Sequence, residues 1–121
     1  MQRLATMFSL AAMMAAVPAA QAADPLYSQP AGYCLQAENA QLLSIPDNAR
    51  LSTEVVRLMD HAVAVAEDSR WVNSSRPVFV WASEAKAACG IAYGYLKTEH
   101  RDDEFLNKCE CFHERMVQYM N

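Results

Sequence analysis

Four cysteines constrain the fold of this chain more than any other feature of its sequence. They are Cys34, Cys89, Cys109 and Cys111, and all lie beyond residue 22. An even number of cysteines in a short exported chain predicts two disulfides. Cys109 and Cys111 are one residue apart, so a bridge between them would close a strained ring, and on a helix they point about 200° apart. Each is therefore expected to pair with Cys34 or Cys89.

The N-terminal segment explains why these cysteines should be oxidised. Arg3 is the only charge in the first 23 residues, and the stretch 4–17 is almost wholly apolar. That stretch is about 14 residues long, against the roughly 20 that a membrane-spanning helix needs. Ala20-Gln21-Ala22 then matches the small-residue cleavage site of a secretory signal. We predict a cleaved signal peptide over 1–22 and a single small helical domain over 23–121, located in the periplasm or secreted.

The predicted mature chain is short and acidic. It holds 99 of the 121 residues, and without Arg3 its 9 Lys and Arg face 14 Asp and Glu, a net charge of −5. Because no basic residues cluster, nucleic acid and anionic membrane surfaces are not expected partners. No second apolar run is long enough to span a bilayer, so no transmembrane anchor is expected. A domain of this size gains from covalent crosslinks, since its core alone is small.

Two apolar stripes at helical spacing decide between the remaining disulfide pairings. One comprises Trp81, Ala85, Ala88, Cys89, Ala92 and Leu96, and the other comprises Phe105, Cys109, Phe112 and Met116. The polar stretch 98–102 between them predicts the turn of an αα-hairpin centred near residue 99. Cys89 and Cys109 lie ten residues to either side of that centre, so they should pair across the hairpin. Cys111 faces outward and should pair with Cys34, which ties the N-terminal segment to the hairpin.

The rest of the pattern predicts an all-α fold, a small disulfide-stapled bundle of about four helices after the signal peptide. The predicted segments are an extended lead-in over 23–32, a helix-compatible stretch over 33–43, a helix over 53–68 capped by Ser52, a polar loop over 69–77, a helix from about 83, and a helix over 103–119 capped by Asp102. Residues 78–82 fit either helix or extended chain.

The sequence Cys109-x-Cys111-x-His113-x-x-Met116, with Met120 beyond it, is the strongest candidate for chemistry. Sulfur and imidazole ligands together suit copper(I) or zinc. Disulfides would remove the thiolates, however, and Cys109 and Cys111 face opposite sides of their helix. We therefore expect no cofactor and no metal site. A periplasmic copper-binding protein using His113, Met116 and Met120, or a thiol-redox protein, is the alternative.

Signatures of catalysis are missing from the sequence. It contains no H-E-x-x-H, no nucleophile elbow, no phosphate loop and no dinucleotide fingerprint. His61 and His100 are isolated in the sequence, and isolated histidines are usually solvated or bonded locally. We expect no catalytic residues, so the chain is predicted not to be an enzyme.

A glycine pair within the third helix suggests a binding surface. Gly90 and Gly94 leave a strip of helix backbone bare, although glycine costs about 1 kcal/mol against alanine in a helix. The strip either packs tightly against helix 103–119 or forms a partner surface with Trp71 and Tyr95. The predicted function is a non-catalytic binding or accessory protein acting through a helical surface. Its expected partner is another envelope protein, with a homodimer as an alternative.

The overall plan, an export signal followed by about 100 residues of disulfide-linked helix, loosely resembles two classes of bacterial periplasmic protein. One is the acid-stress chaperones. The other is the immunity proteins that neutralise cell-wall amidase toxins, and this resemblance rests on Cys89 followed by Gly94-Tyr95-Leu96. It covers about eight residues, and the spacing of the other cysteines departs from that pattern. The second resemblance implies an immunity or inhibitor protein, without assigning a role to any residue.

Overall fold

The computed structural model describes Cys34 and residues 40–121, and this part of the chain is all-helical. A 3-10 turn at Gln41–Ser44 precedes four α-helices: α1 Asn48–Glu67, α2 Ser69–Val72, α3 Val78–Lys97 and α4 Asp103–Met120. The predicted all-α, disulfide-linked bundle is therefore confirmed. The predicted signal peptide, the extended lead-in and most of the helix-compatible stretch 33–43 lie outside the described residues.

Helix α3 is the centre of the bundle, because it packs along both α1 and α4, whereas α1 and α4 touch each other much less. Its inner side is lined mainly by small residues, which lets the neighbouring helices approach closely. The buried residues of α3 are Val78, Ala82, Ala85, Ala88, Cys89, Ala92 and Leu96. Larger side chains from the outer helices fill the remaining space, with Leu51, Leu106 and Met116 fully buried.

Both disulfides have the pairing expected from the sequence. Cys89–Cys109 links α3 to α4 with a Cα–Cα distance of 4.5 Å, and Cys34–Cys111 links the N-terminal segment to α4 with a distance of 5.9 Å. Cys89 and Cys109 are fully buried, in line with their places on the two apolar stripes. Among the described residues no cysteine is free.

Three element boundaries differ from the sequence-based expectation. Helix α1 begins at Asn48 rather than after Ser52, since the Asp47 carboxylate accepts a hydrogen bond from the Arg50 backbone N–H at 2.7 Å and caps the helix there. The undecided stretch 78–82 is helical, and α3 starts directly after Pro77. The predicted polar loop 69–77 contains the single helical turn α2, capped by Asp68. The predicted cap of the last helix, Asp102, is confirmed by its bond from the Phe105 N–H at 3.0 Å.

The 3-10 turn is fastened to the bundle at both ends. The buried Glu110 carboxylate accepts the backbone N–H groups of Gln41 and Leu42, each at 2.8 Å. At the other end the Arg101 guanidinium donates to the carbonyls of Leu43 at 2.6 Å and Ile45 at 2.7 Å. An acid at the donor end and a base at the acceptor end satisfy groups that the short turn leaves unpaired.

None of the helices within residues 40–121 combines the length and apolar character that crossing a membrane requires.

Candidate functional site

A polar cleft of about 430 Å³ lies between the 3-10 turn, α1 and α4. Its lining carries both signs of charge, with two guanidiniums, three carboxylates and one imidazole. The charged or titratable lining residues are Arg50, Glu54, Arg57, Glu110, His113 and Glu114. Two of the carboxylates are engaged within the protein: Glu54 accepts from Arg57 at 2.7 Å, and Glu110 holds the 3-10 turn. With His113 neutral, the lining is net acidic by one charge.

His113, which lines this cleft, is paired with a second histidine on α1. His61 Nδ1 on α1 and His113 Nε2 on α4 are 2.8 Å apart, and the rings meet edge to face with centroids 4.9 Å apart. One of the two facing nitrogens donates its N–H and the other accepts. Both side chains are half-buried. The contact joins the two outer helices, which otherwise touch little.

Burial, together with repulsion from the nearby His61 and Arg57, lowers the pKa of His113 to about 4. The pKa of Glu114, on the next position of α4, is raised by burial and by the neighbouring Glu110 carboxylate. At neutral pH His113 is therefore an uncharged imidazole with a lone pair available at one nitrogen.

The histidine pair was not predicted, and the sequence carries no local signal for it. His61 and His113 are 52 residues apart, and each alone resembles an ordinary surface histidine. The expectation that His61 is solvated or locally bonded was wrong, because packing of α1 beside α4 brings it to a partner on another helix.

The sulfur atoms of the candidate copper site do not join His113. Met116 is fully buried in the core, and Met120 packs against the core in the last turn of α4. The four cysteines are all oxidised, and Cys34, Cys89 and Cys109 are fully buried, so an attacking thiolate has little access to them. Within the part of the chain that the structure describes, no three or more His, Cys, Asp or Glu side chains form a group suited to a metal ion.

The outward side of α3 forms a second candidate site. We define the α3 face as Val80, Glu84, Ala87, Ile91, Gly94 and Tyr95. Val80, Ala87 and Gly94 recur every seven residues, as do Glu84 and Ile91, so they line one side of the helix. Val80, Ile91 and Tyr95 are 41%, 43% and 38% exposed, which is high for large apolar side chains.

An apolar groove of about 150 Å³ runs along the α3 face, beside α4. Its floor is formed by Ala88 and Phe112, and its edges include Ile91 and Phe105. The charged residues at its rim are Glu84 on α3 and Lys108 on α4. Lys108 pairs with Glu104 and lies over the Phe105 ring at 5.1 Å, so its charge is already compensated.

The four residues predicted to bind a partner are only partly brought together. Gly94 and Tyr95 lie on the α3 face, and a Cβ added to Gly94 would meet no atom within 4 Å. Gly90 faces inward, where an added Cβ would lie 3.9 Å from Met59 Sδ. It therefore packs against α1, not against helix 103–119 as the internal-packing alternative expected. Trp71 lies in α2, which precedes α3, whereas Tyr95 lies near the other end of α3, about 25 Å along the helix axis from its first residue Val78.

Comparison with known proteins gives no relative. No family model matches the chain, and neither a curated protein nor a solved structure matches it.

Proposed function

We propose that this chain is a small non-catalytic binding protein of the periplasm or the secreted space, and that it engages another envelope protein through the α3 face. The observation that carries the proposal is the exposure of Val80, Ile91 and Tyr95 along one side of the central helix. Large apolar side chains aligned in this way on a soluble domain are typical of protein interaction sites.

The shape of the α3 face favours an apolar helix of the partner as the bound element. Ala87 and Gly94 present little side chain, so a second backbone can approach closely, and the groove beside Ile91 can receive one large apolar side chain. In helix-in-groove recognition the bound helix inserts apolar side chains, spaced three, four or seven residues apart, into such a groove. A role in binding also explains why position 94 holds a glycine, although glycine lowers the stability of a helix.

Two features support the proposed compartment. Two disulfides are typical of proteins from oxidising compartments, and the sequence of residues 1–22 is typical of a cleaved export signal. The Cys89–Cys109 disulfide fixes α4 against α3 and hence supports the wall of the groove.

Site-specific photocrosslinking in the envelope of living cells tests the proposal. A crosslinking amino acid at Ile91 should give one discrete adduct with another envelope protein. The matched control is Ala64, an exposed position on α1 away from the α3 face. Equal adduct patterns at the two positions, or no adduct at Ile91, would contradict the proposal.

The identity of the adduct also separates the narrower alternatives. A cell-wall amidase bound at Ile91 would make the chain an immunity protein, which is one kind of binding protein. An adduct of twice the chain mass would show that the partner is a second copy of the chain and not another envelope protein.

A further inference from the structure

We propose that His61 and His113 form a binding site for a divalent copper ion beside the polar cleft that His113 lines. The site is independent of the α3 face, which lies on another part of the bundle. It also differs from the copper site considered from the sequence, since it uses none of the sulfur atoms and takes its second ligand from α1.

The geometry of the two imidazoles suits a tetragonal ion. Metal–nitrogen bonds in proteins are about 2.0–2.1 Å long, so two nitrogens 2.8 Å apart subtend an angle near 90° at a shared metal. This is the angle between neighbouring ligands in the tetragonal geometry of Cu²⁺, whereas a tetrahedral Zn²⁺ needs the nitrogens about 3.3 Å apart. Among divalent first-row metals Cu²⁺ also binds nitrogen ligands most strongly.

Binding requires a change of tautomer in one ring and a rotation of both rings, because the facing N–H and lone pair of the metal-free pair point at each other and not at a shared ion. In the metal-free pair one facing nitrogen carries a hydrogen, and that hydrogen moves to the other nitrogen of the same ring. His61 Nδ1 and His113 Nε2 then both offer lone pairs, and the N–H groups point away from the metal. The neutral state of His113 at physiological pH is the state that ligates.

The cleft beside the two imidazoles supplies room for further ligands and a net negative charge. The cleft leaves room for water to complete the coordination of the ion. Arg57 brings a positive charge close to His113, but Glu54 pairs with it, and Glu110 and Glu114 leave the lining net acidic. An ion that bridges α1 and α4 should also stabilise the fold, because the two imidazoles are brought together only in the native state.

Copper titration of untagged, chelator-treated, oxidised protein tests the site. The wild type should bind one Cu²⁺ per chain, and its melting temperature should rise with copper concentration. H61A and H113A should each weaken binding at least tenfold. The matched control is H100A, which removes the third histidine of the chain, an exposed residue in the α3–α4 turn. Loss of binding in H100A, or unchanged binding in H61A and H113A, would overturn the proposal.

Electron paramagnetic resonance of the wild type keeps the test independent of how well the variants fold. Protein labelled with ¹⁵N-histidine should show coupling of one Cu²⁺ to two histidine nitrogens. A spectrum with no histidine nitrogen, or with only one, would overturn the two-histidine site.

Discussion

Glu110 shows how one buried side chain fixes a segment far away in sequence. Its carboxylate is only 9% exposed, yet it carries no salt bridge among the described residues and instead accepts two backbone N–H groups of the 3-10 turn. A charge-assisted hydrogen bond is about twice as strong as a neutral one. The two hydrogen bonds therefore compensate the cost of burying this carboxylate, and they also hold the turn in place.

Replacing the acid by its amide should loosen the turn. Glu110→Gln keeps one acceptor oxygen but loses the charge, so we expect a loss of about 1–3 kcal/mol in the free energy of unfolding. Urea denaturation measures it, and faster hydrogen exchange at the Gln41 and Leu42 amides should accompany it. The control is Glu114→Gln, at an exposed position on the same helix, which should change stability by less than about 0.5 kcal/mol. Equal effects of the two variants would contradict this role of Glu110.

The low pKa of His113 makes the stability of the fold depend on pH. Its pKa is about 4 in the folded chain against an ordinary value of 6.5, so the unfolded chain takes up the proton first as the pH falls. Stability is complete above about pH 6.5 and decreases between that pH and about pH 4. The titratable and charged groups near His113 are His61 and Arg57 from α1 and Glu110 and Glu114 from α4.

Metal-free protein should therefore lose more stability on acidification than a variant without this histidine. Between pH 7.5 and 4.5 we expect the wild type to lose about 1–2 kcal/mol more than His113→Asn, after allowance for partial exposure of the ring. Urea denaturation at the two pH values measures the difference. Parallel pH curves for the two proteins would show that His113 does not titrate with a lowered pKa.

At the scale of the element, helix ends were predicted less well than helix interiors. The interior stripes of α3 and α4 follow from apolar spacing, and Asp102 was found because it directly precedes an acidic first turn. The start of α1 was missed because both Asp47 and Ser52 are good capping residues. Spacing alone does not say which of them takes the non-helical backbone conformation that a cap needs.

The choice between these two caps is testable by a matched pair of variants. Asp47→Ala should cost about 1 kcal/mol, since its carboxylate caps the Arg50 N–H. Ser52→Ala should be nearly neutral or slightly stabilising, because Ser52 lies inside α1 and alanine is the better helix former. Thermal or urea unfolding of both variants measures the costs. A larger loss for Ser52→Ala would restore the later helix start.

The turn after α3 holds a non-glycine residue in the left-handed region. Glu99 has φ 57°, and the N–H groups of Glu99 and His100 donate to the carbonyls of Leu96 and Tyr95, both at 3.0 Å. This is the Schellman arrangement, in which glycine is the usual residue. The polar stretch 98–102 predicts a turn, but without a glycine it carries no signal for this backbone conformation.

Glycine at position 99 should therefore stabilise the protein. Glu99→Gly removes the steric cost of the left-handed conformation, and we expect a gain of about 0.5–1 kcal/mol. Thr98→Gly is the control, since Thr98 has φ −102° and gains nothing from glycine. Melting temperatures of the two variants decide the point, and a loss of stability in Glu99→Gly would contradict the assigned conformation.

At the scale of the whole molecule, apolar spacing within two single helices was enough to predict which cysteines pair. The stripes at 81–96 and 105–116, with a polar turn between them, were enough to place Cys89 opposite Cys109 and to leave Cys111 for Cys34. The contacts made by α1 were not predictable in the same way. Its place beside α3 and α4 determines both the histidine pair and the packing of Gly90 against Met59, and no spacing rule relates these positions.

The two disulfides crosslink the N-terminal segment, α3 and α4. Cys89–Cys109 spans 20 residues and Cys34–Cys111 spans 77, and loops of those lengths correspond to stabilisation of about 3 and 4.5 kcal/mol in the chain-entropy model. For a domain of this size these are large contributions. Both bridges are expected to form with this pairing after export of the chain to an oxidising compartment.

Peptide mapping of the non-reduced protein, purified from the envelope after expression of the full sequence, tests the export of the chain and its disulfide pairing together. Cleavage after Glu110 separates Cys109 from Cys111, so the two bridges are distinguishable by mass. We predict a chain that begins near Ala23 and contains the linked peptides of Cys34 with Cys111 and of Cys89 with Cys109. A link between Cys34 and Cys109, free thiols, or retention of residues 1–22 would contradict the account.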